Sequence, residues 1–172
     1  KIPNGVTNMQ GTFFKCSSLE TAPAIPNGVI NMYGTFQNTS IIEAPEIPNS
    51  VTNMENTFQN CTSLIVAPDI PNGVQNMSST FDGCTNLETP PTLIPSSVTD
   101  IRRTFKNCYK LSGTIQIEAD ITGKIIDNEI DCKYCFALEE PNKNETDITL
   151  TGDKTVLNLI INNSFNNTIH IE

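Results

Sequence analysis

The residues of this chain whose types and spacing could do chemistry are its cysteines, its single histidine and its acids. Cys132 and Cys135 have C-x-x-C spacing, which by itself is typical of half a zinc site or of a redox pair. A zinc site needs further ligands, and the chain has no second C-x-x-C and only one histidine, His170. We therefore expect no metal site, and for this cysteine pair either a structural role or one local disulfide.

The sequence supports catalysis by a nucleophile or by an acid–base pair no better than it supports a metal site. A nucleophile needs a positioned base, and one histidine without a G-x-S-x-G elbow does not provide it. Glu20, Glu43 and Glu88 recur beside a repeated leucine, as expected for the solvated edge of a repeated strand. No glycine-rich phosphate loop is present. We predict that the chain is not an enzyme and uses no cofactor.

Composition excludes several classes of partner. The 172 residues, one domain's worth of chain, are 37% hydrophobic and 17% charged, which argues against disorder. No apolar run approaches the roughly 18 residues of a membrane span, so we expect no membrane insertion. The net charge of −9 argues against nucleic acid and against anionic membranes, because both require clustered cations.

Internal repeats organise the first two thirds of the chain. A segment that begins Ile-Pro recurs at Ile2, Ile25, Ile47, Ile70 and Ile94, so successive copies start 23, 22, 23 and 24 residues apart. We number these copies repeats 1 to 5. Further columns align within them: a Met column (Met9, Met32, Met54, Met77, Ile101), a Phe column (Phe13, Phe36, Phe58, Phe81, Phe105), a Cys column (Cys16, Thr39, Cys61, Cys84, Cys108) and a Leu column (Leu19, Ile42, Leu64, Leu87, Leu111).

A period in the low twenties is too short for a pair of helices and is typical of leucine-rich repeats. Each copy would form one rung of a solenoid and bury its apolar columns against its neighbours. For repeat 1 and the start of repeat 2 we expect a short strand over 19–23, an Asn-Gly turn over 25–28, a second extended piece over 29–32 and one winding of 3₁₀ helix over 35–39. The predicted fold is a right-handed leucine-rich-repeat solenoid of the α/β horseshoe class, dominated by β-structure, with about five rungs of 22–24 residues and a divergent C-terminal cap.

The repeat unit resembles a known family. The run IPNGVTNMQGTFFKCSSLETAP, residues 2–23, is similar to the BspA-like leucine-rich repeats, which place a Phe, a Cys and a Leu before an Ile-Pro-x-x-Val turn. The resemblance covers residues 2 to about 118, with Met where many family repeats have Ile. It implies an extracellular or cell-surface protein of host-associated bacteria, with relatives in protist parasites. It also implies adhesion to, or interaction with, a host protein such as one of the extracellular matrix.

The last third of the chain breaks the repeat pattern. Its alternation and turn signals predict strands over 114–118, 147–151 and 168–171, extended chain over 120–135, a polar loop over 139–146, and a helix that Asp153 caps and Asn162-Asn163 ends. We interpret 1–114 as the repeats, the first beginning mid-repeat, and 115–172 as the divergent last rungs and the C-terminal cap. We also expect more rungs or another domain before Lys1.

The Cys column permits two interpretations. Cysteines on adjacent rungs would lie about 5 Å apart, a spacing that does not exclude a disulfide. Thr39 takes the place of a cysteine in repeat 2, however, and leaves Cys16 without a partner on the adjacent rung. A small inward side chain that donates a weak hydrogen bond to the turn accounts for both residue types, so we expect buried free thiols.

A binding surface should lie where the repeats vary, because the fold does not constrain those positions. Phe14 and Tyr33 are expected to be exposed aromatics, which are enriched at interaction hot spots. Arg102, Arg103 and Lys106 form a small basic spot that is either a contact site or local charge balance. The alternatives to a protein-interaction module are a structural spacer in a larger surface protein and a carbohydrate-binding module, for which Phe14, Tyr33 and Tyr109 would be the aromatic platform. The candidate binding residues are Phe14, Tyr33, Glu55, Arg102, Arg103 and Lys106.

Overall fold

The repeats stack in parallel, in the order of the sequence. The computed structural model describes residues 1–126, 129–140, 145–164 and 167–172. Neighbouring repeats meet through isolated parallel bridges in two series. One series joins Asn8, Asn31, Asn53, Asn76 and Asp100, and the other joins Thr21, Glu43, Val66 and Thr89.

Regular strands begin only toward the end of the stack. The elements are β1 (Leu93–Ile94), β2 (Ser112–Ile117), β3 (Ile125–Ile126), β4 (Glu129–Ile130), β5 (Asp147–Gly152), α1 (Lys154–Asn162) and β6 (Ile169–Ile171). A four-stranded parallel sheet has the order β1-β2-β5-β6, and β3 and β4 form a separate antiparallel pair. The longest pairing joins β2 to β5 over six residues of each strand.

Most of the elements predicted for the last third are confirmed. Strands β2, β5 and β6 lie where alternation placed them, within a residue or two. Helix α1 follows Asp153, whose carboxylate accepts the backbone N–H groups of Thr155 at 2.8 Å and Val156 at 3.2 Å. Asn163 caps the other end of the helix. Of the polar loop predicted over 139–146, residues 141–144 lie outside the described residues.

The turn at each Phe is not the 3₁₀ winding that we expected. In repeat 2, Gly34 and Asn38 have φ values of +57° and +59°, on either side of Phe36. Both, together with Phe36, donate their N–H groups to repeat 3, whereas Thr35 and Thr39 donate to carbonyls of their own turn. A 3₁₀ helix keeps negative φ throughout and bonds only within itself. The expectation was wrong because alternate N–H groups are needed by the next repeat.

The Leu column contains Ile41 rather than Ile42. Ile41 is fully buried, while Ile42 is 45% exposed. The backbone N–H of Ile42 donates to Glu20 of repeat 1, and its carbonyl accepts from Ile65 of repeat 3, so Ile42 aligns with those two outward residues. Repeat 2 is therefore one residue shorter than the other repeats between Thr39 in the Cys column and Ile41 in the Leu column. Counting the same number of residues from the Cys column in every repeat selects Ile42 instead.

The extended chain predicted over 120–135 contains β3 and β4, but the prediction is wrong for its last part, which is a further Phe turn. The carbonyls of Asp131, Lys133 and Cys135 accept N–H groups from Ile101, Arg103 and Phe105 at 2.8, 2.9 and 2.8 Å. Met77, Ser79 and Phe81 of repeat 4 make the same bonds to repeat 5. A segment without the Ile-Pro turn thus continues the stack after repeat 5.

This sixth segment explains the C-x-x-C motif. Phe136 stacks on Phe105 with ring centroids 5.1 Å apart, so Cys132 occupies the Met position and Cys135 the position before Phe. Both cysteines are buried free thiols. Their spacing is that of two inward positions of one turn, and the disulfide alternative is not what the structure shows.

The core consists of columns that run through the stack. The Phe rings form a continuous stack from Phe13 to Phe136, with adjacent centroids 5.1–5.7 Å apart. The threonine before the Phe of repeats 1 to 5 is a column that the sequence analysis missed. Thr80 donates its hydroxyl hydrogen toward the carbonyls of Met54 (2.9 Å) and Met77 (2.8 Å), and so links two repeats.

The Cys column is confirmed as free thiols. The thiol of Cys61 donates to the Phe36 carbonyl at 3.0 Å, and Cys84 does the same to Phe58 at 3.1 Å. Burial raises the pKa of Cys61, Cys84, Cys108 and Cys135, and it raises the pKa of Cys132 to about 12. Cys16, in repeat 1, is also a free thiol but is exposed, so the expected burial is wrong at this position.

Truncation of one ring in the Phe stack should destabilise the protein strongly. Phe58 is fully buried between the rings of Phe36 and Phe81. We expect Phe58→Ala to lower the free energy of unfolding by about 3–5 kcal/mol, since the cavity cannot close between two fixed repeats. Equilibrium unfolding in urea measures this. Phe14→Ala removes an exposed ring and should cost about 0.5 kcal/mol or less; equal losses in the two variants would contradict the stack.

Thiol reactivity should separate Cys16 from the other cysteines. At pH 8 the five buried thiols stay protonated because their pKa values are raised, and the thiolate is the form that reacts. With 5,5′-dithiobis(2-nitrobenzoate) we expect one fast thiol in the native protein, five more only after unfolding, and no fast phase in Cys16→Ser. A fast phase that survives in Cys16→Ser would show that at least one of the five buried cysteines is accessible.

Candidate interaction surface

The residues that follow the Met and Phe columns lie along one side of the stack, which we call the turn face. Its members share a position in the repeated turn, so side chains of the same column are neighbours. They are Gln10, Tyr33, Glu55, Ser78 and Arg102 after the Met column, and Phe14, Gln37, Gln59, Asp82 and Lys106 after the Phe column.

Polar side chains of the turn face are linked from repeat to repeat. The amide of Gln37 donates to Gln59, and the amide of Gln59 donates to Asp82 at 3.3 Å. Burial raises the pKa of Asp82, although Gln59 and the charge of Lys106 oppose the rise. Lys106 in turn pairs with Glu139 at 2.6 Å. The middle of the turn face is thus a polar ladder whose groups already have partners.

At repeats 1 and 2 the turn face carries two aromatic side chains next to the polar ladder. Phe14 is 45% exposed, and Tyr33 beside it is half-buried. Lys15 places its ammonium 5.0 Å from the centre of the Phe14 ring, a cation–π contact. Phe14 and Tyr33 border a shallow depression lined also by Gln10, Gly11, Gly34 and Gln37. The structure therefore brings together the two aromatic residues that the sequence analysis selected.

Glu55 lies next to Tyr33 along the same column. The N–H of Gly34 donates to the carbonyl of Glu55 at 2.9 Å, which places repeat 3 directly against repeat 2 here. The Glu55 carboxylate accepts a hydrogen bond from the Asn76 amide at 3.1 Å. Glu55 is thus held half-buried beside repeat 2, in the same column as Tyr33, by its bond to Asn76.

The basic spot is not an exposed cluster of cations. Arg102 is buried, and it donates to the Asp100 carboxylate at 2.7 Å and to the Ile126 carbonyl at 2.8 Å. Arg103 pairs with Glu129 at 2.5 Å, as Lys106 does with Glu139. The structure thus favours the charge-balance alternative for Arg102, Arg103 and Lys106. Two of their carboxylate partners, Glu129 and Glu139, belong to the last third of the chain, where the repeat spacing no longer predicts which residues are neighbours.

These ion pairs also lower the pKa values of the two glutamates, Glu129 and Glu139. Burial opposes ionisation of Glu129, but hydrogen bonds and charges from Lys133 and Arg103 outweigh it and lower its pKa. Hydrogen bonds from Lys106 and Asn107 likewise lower the pKa of Glu139. The cations and acids therefore fasten repeat 5 to the segment that follows.

Tyr109 does not belong to an aromatic platform. It is 7% exposed, and its hydroxyl donates to Asn107 at 3.2 Å. The carbohydrate-binding alternative thereby loses the third of its three aromatic residues, and only Phe14 and Tyr33 remain near one another.

The described residues contain neither a candidate metal site nor a candidate membrane span. Across 1–126, 129–140, 145–164 and 167–172, no group of three or more His, Cys, Asp or Glu side chains is placed to hold a metal ion. No helix in the described part of the chain has both the length and the apolar character needed to cross a bilayer.

The comparisons agree with the repeated architecture. A family model for the BspA type leucine rich repeat region matches in six copies, over residues 1–112 and 69–172. No curated protein and no solved structure matches the chain. Proteins of the matched family are commonly surface-associated interaction modules and are generally not enzymes. Since the matches span its whole length, this chain belongs to the BspA-type leucine-rich repeat family.

Proposed function

We propose that this chain is a non-enzymatic module of a cell-surface or secreted protein, and that it binds a protein partner through the aromatic depression at repeats 1 and 2. The observation that carries the proposal is Phe14, a phenylalanine 45% exposed beside Tyr33 in an otherwise polar turn face. An aromatic centre with a polar rim is the usual anatomy of a protein-binding site.

The shape of the module is part of the proposal. We propose a right-handed solenoid in which residues 1–114 form about five rungs and residues 115–172 form the divergent last rungs and the cap. The two series of parallel bridges and the six family copies support it. A rigid stack would hold Phe14 and Tyr33 at a fixed separation, so that little conformational entropy is lost when a partner binds.

Adhesion to a host protein, such as an extracellular matrix protein, is the biological role that we propose for this binding. Its support is the family, together with a surface that carries aromatic anchors. Within the proposed site, Phe14 and Tyr33 are the anchors, and Glu55 contributes charge at the border. Arg103 and Lys106 would act only at the far end of the turn face.

Binding to immobilised proteins and glycans tests the proposal. We expect saturable binding to at least one matrix protein, and at least a tenfold weaker affinity for the Phe14→Ala, Tyr33→Ala double variant, because loss of one aromatic hot spot typically costs about 2 kcal/mol. Surface plasmon resonance at low and at physiological salt measures both affinities.

A matched control for this test is Tyr134→Ala. Tyr134 is also a partly exposed aromatic on a Phe turn, but it lies at the other end of the stack, against Arg103 and Lys133. Its truncation should leave the affinity unchanged. Binding to glycans alone would favour the carbohydrate module. If the folded protein binds none of the immobilised proteins and glycans, the result would favour the structural spacer.

A further inference from the structure

A second surface, away from the turn face, combines exposed aliphatic side chains with carboxylates. We call it the sheet-edge patch, since it lies beside the second series of parallel bridges. Its aliphatic members are Ile42, Ile65 and Val66, which are 45%, 40% and 47% exposed. Its acidic members are the exposed residues Glu20, Glu43 and Glu88.

Backbone hydrogen bonds fix the order of these residues across four repeats. Ile42 donates to the carbonyl of Glu20 at 3.1 Å, Ile65 donates to Ile42 at 3.3 Å, and Glu88 donates to Ile65 at 2.9 Å. This column therefore reads Glu, Ile, Ile, Glu from repeat 1 to repeat 4. Adjacent strands lie roughly 4.8 Å apart, so one carboxylate stands at each end of a pair of isoleucines.

The neighbouring column completes the patch. Parallel bridges align Thr21, Glu43, Val66 and Thr89. Val66 thus lies beside Ile65 along the chain and opposite Glu43 on the adjacent repeat. The three aliphatic residues are thus neighbours along the backbone of repeats 2 and 3, with Glu20 and Glu88 on either side of the isoleucines in their column and Glu43 opposite Val66.

The stack itself does not require apolar residues at these positions. The first column carries Glu20, Glu88 and Ser112 in other repeats, and the second carries Thr21 and Thr89. Polar residues therefore fit the same backbone position without harm to the fold. The aliphatic side chains occur only at repeats 2 and 3, where these residues stay 40–47% exposed.

The stretch of chain that holds the acids of the patch contains no cation. Between Cys16 and Ile101 there is no lysine, arginine or histidine, and every charged residue is Asp or Glu. Residues 16–101 therefore carry negative charge only, although Lys1 and Lys15 precede them, and this charge attracts a cationic partner and repels an anionic one. Glu20, Ile42 and Glu43 also line a depression with Ala22 and Pro45, so the patch is not flat.

We infer that the sheet-edge patch docks a protein segment whose apolar side chains are flanked by lysine or arginine. The aliphatic centre would cover the apolar side chains of the segment, and Glu20, Glu43 and Glu88 would pair with its cations. The inference rests on the proposed function as an interaction module, but not on the aromatic depression. The two surfaces use different residues.

Synthetic peptides test this specificity directly. The probes are three fluorescein-labelled peptides of equal length, which alternate lysine with leucine, lysine with threonine, and glutamate with leucine. Measured by fluorescence anisotropy at physiological salt, the Lys/Leu peptide should bind saturably and at least tenfold more tightly than either other peptide, because only it supplies both kinds of contact.

Variants with matched controls locate the binding. Ile42→Ser with Ile65→Ser, and Glu20→Gln with Glu43→Gln, should each weaken binding of the Lys/Leu peptide at least tenfold. Ile30→Ser is the aliphatic control, because Ile30 is 48% exposed but bonded between Thr7 and Thr52. Glu118→Gln with Asp120→Asn is the charge control, since it removes two exposed carboxylates elsewhere. Both controls should bind as the unmodified chain does.

Other results would overturn the inference. Equal affinity for the Lys/Thr peptide, or an equal loss in the charge control, would mean that net charge alone attracts the peptide. Binding to neutral lipid vesicles that Ile42→Ser with Ile65→Ser abolishes would assign the patch to a lipid surface instead. The Phe14→Ala, Tyr33→Ala variant should keep its peptide binding, so failure of the aromatic site and failure of this patch are distinguishable.

Discussion

The rest of the structure depends on the register in which each repeat's backbone bonds to the next. In the Phe turns of repeats 1 to 5, alternate N–H groups donate to the following repeat or segment and the groups between them donate within the turn. This alternation requires left-handed residues on both sides of the Phe, and φ stays between +54° and +61° at the position two residues before it. Residues such as Asn56, Ser79 and Arg103 accept that conformation because the two sets of bonds over-determine it.

Once this register is set, every side-chain column becomes a ladder. Asn31, Asn53 and Asn76 each accept the N–H group two residues further along, and the threonine and cysteine columns bond to carbonyls of the preceding repeat. Among the described residues, no buried side-chain nitrogen or oxygen lacks a partner. A stack with little regular strand can thus bury polar side chains without the desolvation cost that unpaired groups would carry.

Because the inward columns hold the stack together, the outward positions are free to vary, and both proposed surfaces lie at such positions. The aromatic depression arises where the polar ladder of Gln37 and Gln59 meets Phe14 and Tyr33. The sheet-edge patch arises where Ile42, Ile65 and Val66 replace residues that are polar in other repeats. Each combines an apolar centre with a fixed polar or acidic border, on a backbone that the inward columns hold rigid.

The sequence by itself determined the repeats, their period, the buried Met and Phe columns, the cap of helix α1 and the exposure of Phe14, because all of these follow from local spacing and residue type. Only the tertiary structure decided which of Ile41 and Ile42 is buried, why Cys132 and Cys135 stand three apart, and that Arg102 is interior. Each of these depends on a partner in another repeat or in a later segment. Periodicity fixes which face a residue occupies only while the register is kept, and a one-residue deletion or a missing Ile-Pro turn removes that information.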